Sequence, residues 1–315
     1  MYIRTPLKEV SYRVVKNEKA RMLLHNIYHR MKIIRDMFKR KVFVPCFPIE
    51  HFHSPFPALA DVEGCYPSSV PRDIPGVDLN AEGQFSVLDE IEPFYKEMPF
   101  KEEQVPGLRY CFESDAYRYS DAIFLHCMIR KAKPQRIIEV GSGFSSCVML
   151  DTNELFFDNK INCTFIEPNP KLLKSLIKET DFPNITINES KLENIPLSFF
   201  AELKSNDILF IDSTHVSRFN SDVNYVIHQI LPVLAEGVYI HFHDIFYPFE
   251  YPKDWLLKGY AWNEQYMLRA FLEYNTKFKI VLFNTYLEFI FPDKLKDRFP
   301  LIFKDTGGSI WIKKV

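Results

Sequence analysis

The sequence predicts an α/β fold in which a Rossmann-like, mostly parallel sheet carries helices on both faces. Three observations support this prediction. Short apolar runs alternate with helical periodicities from residue 136 to residue 242, which is the pattern of a parallel sheet covered on both sides. A glycine turn at residues 141–143 directly follows the first run. Two later apolar runs lack a helical crossover, which predicts an antiparallel strand at the C-terminal end of a seven-stranded sheet.

Each predicted strand is a short run rich in Ile, Val, Leu or Phe that ends at a polar or glycine-bearing turn. The runs lie at residues 136–140, 163–166, 184–187, 207–211, 237–242, 279–283 and 309–313. Apolar residues at spacings of three and four predict helices at residues 117–131, 223–234 and 264–274. Pro134 ends the first of these helices.

Residues 1–112 are expected to form an extension to a ligand-binding domain at residues 113–315. Its first part, residues 16–41, is a basic amphipathic helix that could lie on an anionic membrane surface. We favour docking on the main domain or on another subunit, with the basic face in solvent. His25 and His29 lack the Glu of a zinc-binding H-E-x-x-H motif, so they are expected to face solvent. Residues 42–112 are rich in proline and aromatic residues, which predicts an extended wrapping segment with a few short helices.

The composition excludes several classes of protein. A net charge of -2 over 315 residues argues against a nucleic-acid binder. The sequence has no run of about 18 apolar residues, so we expect no transmembrane segment. The six cysteines form no C-x-x-C pair and are expected to be reduced thiols in a cytoplasmic protein.

The turn after the first predicted strand, E-V-G-S-G, indicates a nucleotide-type ligand. Gly141, Ser142 and Gly143 let the backbone pass close to a ligand at the start of a helix. A dinucleotide motif would have a third glycine where Ser146 stands. Glu139 would repel phosphates and suits a ligand with a positive charge and an amino group.

Polar residues follow all five of the predicted parallel strands, where ligands bind in an open sheet of this kind. Glu167 follows the second strand and is expected to accept both ribose hydroxyls; capping of the next helix is the alternative. The full set is Gly141 to Gly143, Glu167, Asn188 to Ser190, Asp212, His243 and Asp244.

Two motifs carry a resemblance to a known family. E-V-G-S-G resembles motif I of the class I S-adenosylmethionine-dependent methyltransferases. D-S-x-H, followed by G-V-x-I-H-x-H-D-I-F-x-P-x-x-Y-P-x-x-W, resembles the Methyltransferase 24 group within that superfamily, over roughly residues 110–284. The resemblance implies S-adenosylmethionine as cofactor. The residues expected to bind it are Glu139, Gly141, Ser142, Gly143, Glu167, Ser190 and Asp212.

Methyl transfer to a hydroxyl group needs a base and an aligned acceptor. His215, near Asp212, is the expected general base, and His243 is the alternative. Asp212 and Asp244 end neighbouring strands and are candidate ligands for Mg²⁺. The Asn that follows the second acidic residue in catechol-type relatives is Ile245 here. His241 lies deeper and is expected to be a hydrogen-bonded core residue.

Aromatic residues follow the fourth and fifth strands, where the acceptor is expected. They suit a small or sugar-containing acceptor, although packing of the loop explains them equally well. They are Phe246, Tyr247, Phe249, Tyr251, Trp255 and Trp262, with Arg218 and Lys253 nearby. Two other functions stay open at this point. One is a nicotinamide-dependent oxidoreductase, and the other is a non-catalytic scaffold for glycan assembly.

Overall fold

The computed structural model describes residues 27–28, 31–32, 34–36, 38–39 and 46–315. The predicted basic helix at residues 16–41 therefore lies largely outside the described residues, as do His25 and His29. The chain divides into two compact units, Met1–Ala58 and Leu59–Val315. Residues 59–112, which the sequence assigned to the extension, lie in the second unit. The division after residue 112 stays a prediction.

The second unit is built on a seven-stranded sheet with the order β3-β2-β1-β4-β5-β7-β6. The first five strands run parallel, and β7 is antiparallel to both β5 and β6. This arrangement confirms the predicted fold class and the antiparallel C-terminal strand. The strands are β1 Arg136–Val140, β2 Asn162–Ile166, β3 Ile185–Asn188, β4 Ile208–Ile211, β5 Tyr239–His243, β6 Phe278–Phe283 and β7 Ser309–Lys314.

Helices cover the sheet on both faces, as predicted. Helix Tyr119–Ala132 buries nearly all of its residues and packs against helix Phe144–Phe157, which follows β1. From residue 46 onward, the other α-helices are Leu59–Cys65, Ala81–Lys96, Lys171–Leu176, Leu197–Ala201, Asp222–Tyr225, Leu231–Val233, Lys253–Leu257, Glu264–Leu272, Asn284–Ile290 and Pro292–Leu295. No helix in the described part of the chain combines the length and apolar character needed to cross a bilayer.

The helix predicted at residues 223–234 differs from the structure. It consists of Asp222–Tyr225, a π-helical turn at Val226–Ile230 and Leu231–Val233. Pro232 has no backbone N–H, so a regular helical hydrogen bond cannot form there. The apolar face is nonetheless buried, as the periodicity indicated.

A buried ion network fastens residues 59–112 to the sheet domain. The guanidinium of Arg109 donates to Asp151 at 2.6 Å and to Asp181 at 2.8 Å, and it also pairs with Glu154 at 2.8 Å. These carboxylates raise the pKa of Arg109 against the effect of burial, so the guanidinium stays charged. Because a buried ion is stable only while its partners remain, this network holds the segment in one position.

The order of the strands places a topological switch point between β1 and β4. The backbone N–H of Asp212 donates to Val140 at 2.9 Å, and that of Gly141 donates to Ile166 at 3.0 Å. Glu167 donates to Asn188 at 3.0 Å in the same way. The backbone hydrogen bonds between strands therefore continue one residue past β1, β2 and β4. They bring Gly141, Glu167 and Asp212 to one edge of the sheet.

Candidate functional site

The glycine turn after β1 is shaped by its contact with β4. Gly141 has φ +77°, a region that residues with a side chain rarely adopt. A Cβ atom placed on Gly141 would overlap the carbonyl oxygen of Asp212 and lie 2.9 Å from its carbonyl carbon. Only glycine fits here. The two strand ends thus form one continuous edge with no side chain between them.

Glu139 is fully buried beneath this turn. Its two carboxylate oxygens accept hydrogen bonds from the hydroxyls of Ser145 and Ser146, in the first turn of helix Phe144–Phe157. Ser146 also accepts a hydrogen bond from the N–H of Gly143 at 3.1 Å. Glu139 therefore ties the glycine turn to the helix, and Ser146, at the position of a dinucleotide motif's third glycine, takes part in this contact. Its direct contact with a cofactor stays a prediction.

The protonation of Glu139 should make stability depend on pH. Burial, reinforced by the charges of Asp212 and Glu167, raises the pKa of Glu139 to about 8, against the effect of the two serine hydroxyls. The folded protein then binds the proton more tightly than the unfolded chain. The stabilisation is complete at pH values below the pKa of Glu139 in the unfolded chain, near 4.5, and it is lost as the pH rises through about 8.

We expect the substitution Glu139→Gln to remove this dependence. Relative to the wild type, the variant should gain free energy of unfolding between pH 5 and pH 8, by about 1.4 kcal/mol for each pKa unit of the shift at most. Urea denaturation at pH 5.5, 7 and 8.5 measures this difference, with the exposed Glu103→Gln as control. If the difference in free energy of unfolding between the wild type and Glu139→Gln stays constant from pH 5.5 to pH 8.5, the expectation is contradicted.

The predicted ribose-binding residue, Glu167, follows β2 and is half-buried. Its Oε1 atom accepts a hydrogen bond from the N–H of Asn169 at 2.7 Å, which fixes the side chain. The structure gives Oε2 no hydrogen bond within the described residues. The hydroxyl of Ser142 is buried and also has no partner there. Both groups can bind a polar ligand, as a cofactor ribose and amino acid would require.

The structure brings Asp212, His215, His243 and Asp244 together, and we call these four residues the Asp–His cluster. The Nε2 atom of His215 lies 3.4 Å from Asp212 Oδ1 and 3.4 Å from Asp244 Oδ2. The Nδ1 atom of His243 lies 3.3 Å from Asp212 Oδ1 and 3.7 Å from Asp244 Oδ1. Ligand atoms of Asp212, His215 and Asp244 all lie within 4.8 Å of one another, a spacing that suits a metal ion.

Each imidazole of the Asp–His cluster is held from behind by another carboxylate. Glu264 lies 2.8 Å from Nδ1 of His215, and Asp121 lies 3.3 Å from Nε2 of His243. A carboxylate behind a histidine fixes its tautomer and its ring orientation. Sequence reasoning missed both residues, because they belong to helices distant in the chain. A charged residue inside the apolar run at Asp121 was the one available signal.

The carboxylates control the charge of the cluster. Burial lowers the pKa of His215, but the hydrogen bonds that its ring donates to Asp212 and Glu264, together with the charge of Asp244, outweigh this effect and raise the pKa to about 10. Burial raises the pKa of Asp212, but the two imidazoles outweigh this effect and hold it well below its usual range. The carboxylates of the cluster therefore stabilise a positive charge beside them, such as the proton on His215.

The backbone of the cluster is unusual for residues with side chains. His215 has φ +59° and Asp244 has φ +57°, both in the left-handed region. The carbonyl oxygen of His215 accepts hydrogen bonds from Asn263 at 3.0 Å and Glu264 at 3.1 Å. Such conformations persist where the surroundings hold them, and they occur often at functional sites.

His241 differs from the prediction in one respect. It lies in the core, fully buried, and its ring stacks on Phe210 at 4.0 Å and meets the edge of Trp311. Neither ring nitrogen has a hydrogen-bond partner within the described residues, so the expectation of a hydrogen-bonded histidine is wrong. Burial lowers its pKa well below the usual value. The ring is neutral and packs as an aromatic residue.

The aromatic residues after β5 divide into two groups. Tyr247, Phe249 and Tyr251 are buried and pack in the core. Phe246, Trp255 and Trp262 are partly exposed, and the Trp262 ring lies 4.4 Å from that of His215. Only this second group can meet a ligand beside the Asp–His cluster. Lys253 donates to the carbonyl oxygen of Glu63 instead of facing this space.

Much of this chain is similar to known proteins. The model of a family described as a methyltransferase domain, Methyltransferase 24, matches residues 138–245. An uncharacterized protein of Archaeoglobus fulgidus is 30% identical over 170 residues, which are 51% of this chain and 76% of that protein. The family match spans β1 to β5 and includes both the glycine turn and the Asp–His cluster.

Several solved structures are similar to the chain, among them two methyltransferases. The SAH-bound methyltransferase PaMTH1 of Podospora anserina is 16% identical and has a TM-score of 0.40, with 75% of this chain and 93% of that chain covered. The O-methyltransferase TomG of Streptomyces achromogenes, in complex with SAM, is 12% identical and has a TM-score of 0.42, with 73% and 89% covered.

Proposed function

Because the chain belongs to the Methyltransferase 24 family of S-adenosylmethionine-dependent methyltransferases, we propose that it methylates a hydroxyl group of a small or sugar-containing acceptor. One observation carries this proposal: the Asp–His cluster lies at the switch point, directly beside the glycine turn. A cofactor on the turn would present its methyl group to the groups that accept a proton.

The cofactor site is proposed at the ends of β1, β2 and β3. Gly141 and Gly143 allow the close approach, the unpartnered hydroxyl of Ser142 can donate or accept, and Glu167 can accept from the ribose. Ser190, half-buried after β3, is proposed near the adenosine. When bound, S-adenosylmethionine supplies a sulfonium methyl group that passes to the acceptor oxygen, and S-adenosylhomocysteine leaves.

His215 is the proposed general base, with Asp212 beside it. Glu264 holds Nδ1, so Nε2 faces the cluster and can take the hydroxyl proton. The Trp262 ring packs against the His215 ring, so the imidazole lies beside a partly exposed aromatic residue. In His243, Asp121 lies against Nε2 and the Nδ1 atom is buried, so neither ring nitrogen is open to an acceptor. His243 therefore stays the second choice.

Asp212 and Asp244 are proposed to bind a divalent cation, for which the sequence suggested Mg²⁺. Their carboxylates fit the charge of such an ion. A cation there would offset the negative charge that raises the pKa of His215 and return the imidazole toward its basic form near neutral pH. The base and the ion are thus compatible parts of one site.

The acceptor is proposed to stack on the partly exposed aromatic rings next to His215. Phe246, Trp255 and Trp262 offer faces suited to sugar or aromatic rings. A cytoplasmic location, and an oligomer contact through the N-terminal helix, stay predictions.

The substitution Glu167→Ala tests the cofactor site. Each hydrogen bond to a charged group contributes about 1.5–3 kcal/mol, so we expect binding of S-adenosylhomocysteine to weaken by about 10–100-fold or more. Isothermal titration calorimetry measures this change. The exposed Glu179→Ala is the control and should bind as the wild type does.

Two outcomes would contradict the assignment of the cofactor. One is a folded wild-type protein that releases no heat with S-adenosylhomocysteine or S-adenosylmethionine. The other is a thermal shift with NADH that exceeds the shift with S-adenosylmethionine, since this would favour an oxidoreductase.

A further inference from the structure

Tyr117 is a buried tyrosine whose hydroxyl group has no hydrogen-bond partner within the described residues. It lies just before helix Tyr119–Ala132, and 6% of the residue is exposed. The hydroxyl of a buried tyrosine usually finds a partner, so one without a partner needs an explanation. Neither the glycine turn nor the Asp–His cluster includes this residue.

The backbone holds Tyr117 in a conformation that bulky residues rarely adopt. Its φ is +61°, in the left-handed region, which costs free energy for a residue with a large side chain. Hydrogen bonds of the surrounding loop keep it there. The Tyr110 hydroxyl donates to the carbonyl oxygen of Tyr117 at 2.7 Å, and Arg118 Nε donates to the carbonyl oxygen of Ser114 at 2.9 Å. The ring is therefore held in one orientation by contacts outside the side chain.

The Tyr117 side chain borders both parts of the proposed site. Its ring centroid lies 5.0 Å from that of His243, in the Asp–His cluster. The pKa of the hydroxyl is raised well above its usual value, first by burial and then by the negative charges of Asp121, Asp212 and Glu139. Glu139 lies beneath the glycine turn, and Asp212 meets that turn at the end of β4. A neutral hydroxyl is thus held where the turn and the cluster meet.

Two of the nearby carboxylates are engaged with other donors. Both oxygens of Glu139 accept hydrogen bonds from serine hydroxyls of the helix that follows. Asp121 accepts from the Nδ2 group of Asn284 at 3.0 Å and from the N–H of Gly308 at 3.2 Å. No carboxylate in the described part of the chain takes a hydrogen bond from the Tyr117 hydroxyl. Its oxygen therefore keeps its lone pairs for a group that the chain itself does not supply.

A sulfonium group has the chemistry that such a side chain can recognise. It carries a positive charge and polarised C–H bonds, but no N–H or O–H bond. A neutral oxygen attracts the C–H bonds, and the face of an aromatic ring attracts the charge. Asp212, near the hydroxyl, keeps 32% of its side chain exposed, so a ligand at the strand ends can reach this region. The proposed function places the sulfonium methyl group between the glycine turn and the Asp–His cluster, which Tyr117 borders.

We propose that Tyr117 binds the sulfonium group of S-adenosylmethionine through its hydroxyl oxygen and its ring, and so distinguishes this cofactor from S-adenosylhomocysteine, whose sulfur is uncharged. The inference rests on the proposed function and deepens it, since it assigns the residue that recognises the charge of the cofactor. The product loses this contact when it loses the methyl group. Tyr117 therefore favours the exchange of product for fresh cofactor.

Binding of three ligands separates recognition of the charge from a structural role. S-adenosylhomocysteine has an uncharged sulfur, S-adenosylmethionine has a sulfonium, and sinefungin has an ammonium group in place of the sulfonium. Isothermal titration calorimetry compares the wild type with Tyr117→Phe, which keeps the ring and loses the hydroxyl. We expect sinefungin binding to weaken by about 10–100-fold, because its ammonium loses a hydrogen-bond acceptor. Binding of S-adenosylmethionine should weaken by about two- to fivefold, and that of S-adenosylhomocysteine should not change.

Two further variants make the assignment specific. Tyr117→Leu removes the ring as well, so the preference for the two charged ligands should fall further than in Tyr117→Phe. Tyr274→Phe is the matched control, because it removes the hydroxyl of a tyrosine that is 86% exposed. It should bind all three ligands as the wild type does. Thermal melting of the same samples establishes that each variant is folded.

The inference is overturned if Tyr117→Phe binds all three ligands more weakly by the same factor, since the hydroxyl would then only support the fold of the site. It is also overturned if Tyr117→Phe binds sinefungin as tightly as the wild type does. Either result, together with normal S-adenosylhomocysteine binding by the wild type, leaves the proposed function intact. A folded wild-type protein that binds none of the three ligands would instead reject the proposed function.

Discussion

Replacement of Gly141 by alanine is expected to weaken cofactor binding at least tenfold and to destabilise the fold. The new Cβ would overlap the carbonyl oxygen of Asp212, and relief requires movement of backbone in β1 or β4. Overpacking costs about 1–3 kcal/mol, and the left-handed φ of +77° adds about 1–2 kcal/mol for alanine. Because the clash separates the two strand ends that form the site, affinity for S-adenosylhomocysteine should fall at least tenfold, or by about 1.4 kcal/mol.

Gly107→Ala is a matched control for this substitution. Gly107 has φ +90°, but a Cβ there would have no heavy atom within 4 Å apart from its chain neighbours. It should therefore show the backbone strain of about 1–2 kcal/mol without the clash, and unchanged cofactor affinity. Urea denaturation and calorimetry on both variants separate the two effects. Equal losses of stability, with normal cofactor binding in both, would show that the contact between Gly141 and Asp212 is not essential.

The sheet was predictable because its strands are buried on both faces and so appear as continuous apolar runs. β1 matches its predicted bounds, and the other strands differ by one or two residues. Helix Ala81–Lys96 was not predicted, since proline density suggested an extended segment. Pro93 lies inside this helix, near its C-terminal end, and Gln84 on its buried face donates to Leu79 and accepts from Phe283. Such tertiary contacts override the local preference for extended structure.

The site was predictable where it follows from the topology of the sheet. The carboxyl ends of adjacent parallel strands meet at one edge, so Asp212, His243 and Asp244 had to lie close together. The two carboxylates behind the histidines, Asp121 and Glu264, which we call the outer carboxylates, were not predictable in this way. Asp121 and Glu264 reach the histidines from helices 122 and 49 positions away in the chain, and no spacing rule connects them. The hydrogen bonds from serine to Glu139 likewise depend on how the helix packs on the turn.

The outer carboxylates also separate the roles of the two histidines. His243 is locked within the sheet between β7 and Asp121, whereas His215 lies on a loop held by Glu264 and packed against Trp262. A base that meets an acceptor benefits from the second kind of position. Removal of His215 should therefore affect the chemical step and leave the cofactor in place.

We expect His215→Asn to lower kcat by about 10²–10⁴-fold, the usual contribution of a general base, with unchanged affinity for S-adenosylhomocysteine. The assay uses S-adenosylmethionine with the best acceptor from a panel of small phenols and methyl glycosides. Glu264→Gln should give a smaller loss, because the imidazole remains but loses the charge that orients it. The exposed His228→Asn controls for loss of a histidine elsewhere.

The pair of variants distinguishes a base from a residue that merely packs. If His215 only supported the loop, the His215→Asn variant would have a higher KM for the acceptor and a kcat near that of the wild type. If His215 takes the proton, the kcat of His215→Asn falls while its KM changes little. The kcat of Glu264→Gln then lies between the values of His215→Asn and the wild type. A kcat for His215→Asn within about threefold of the wild type would move the base to another member of the Asp–His cluster.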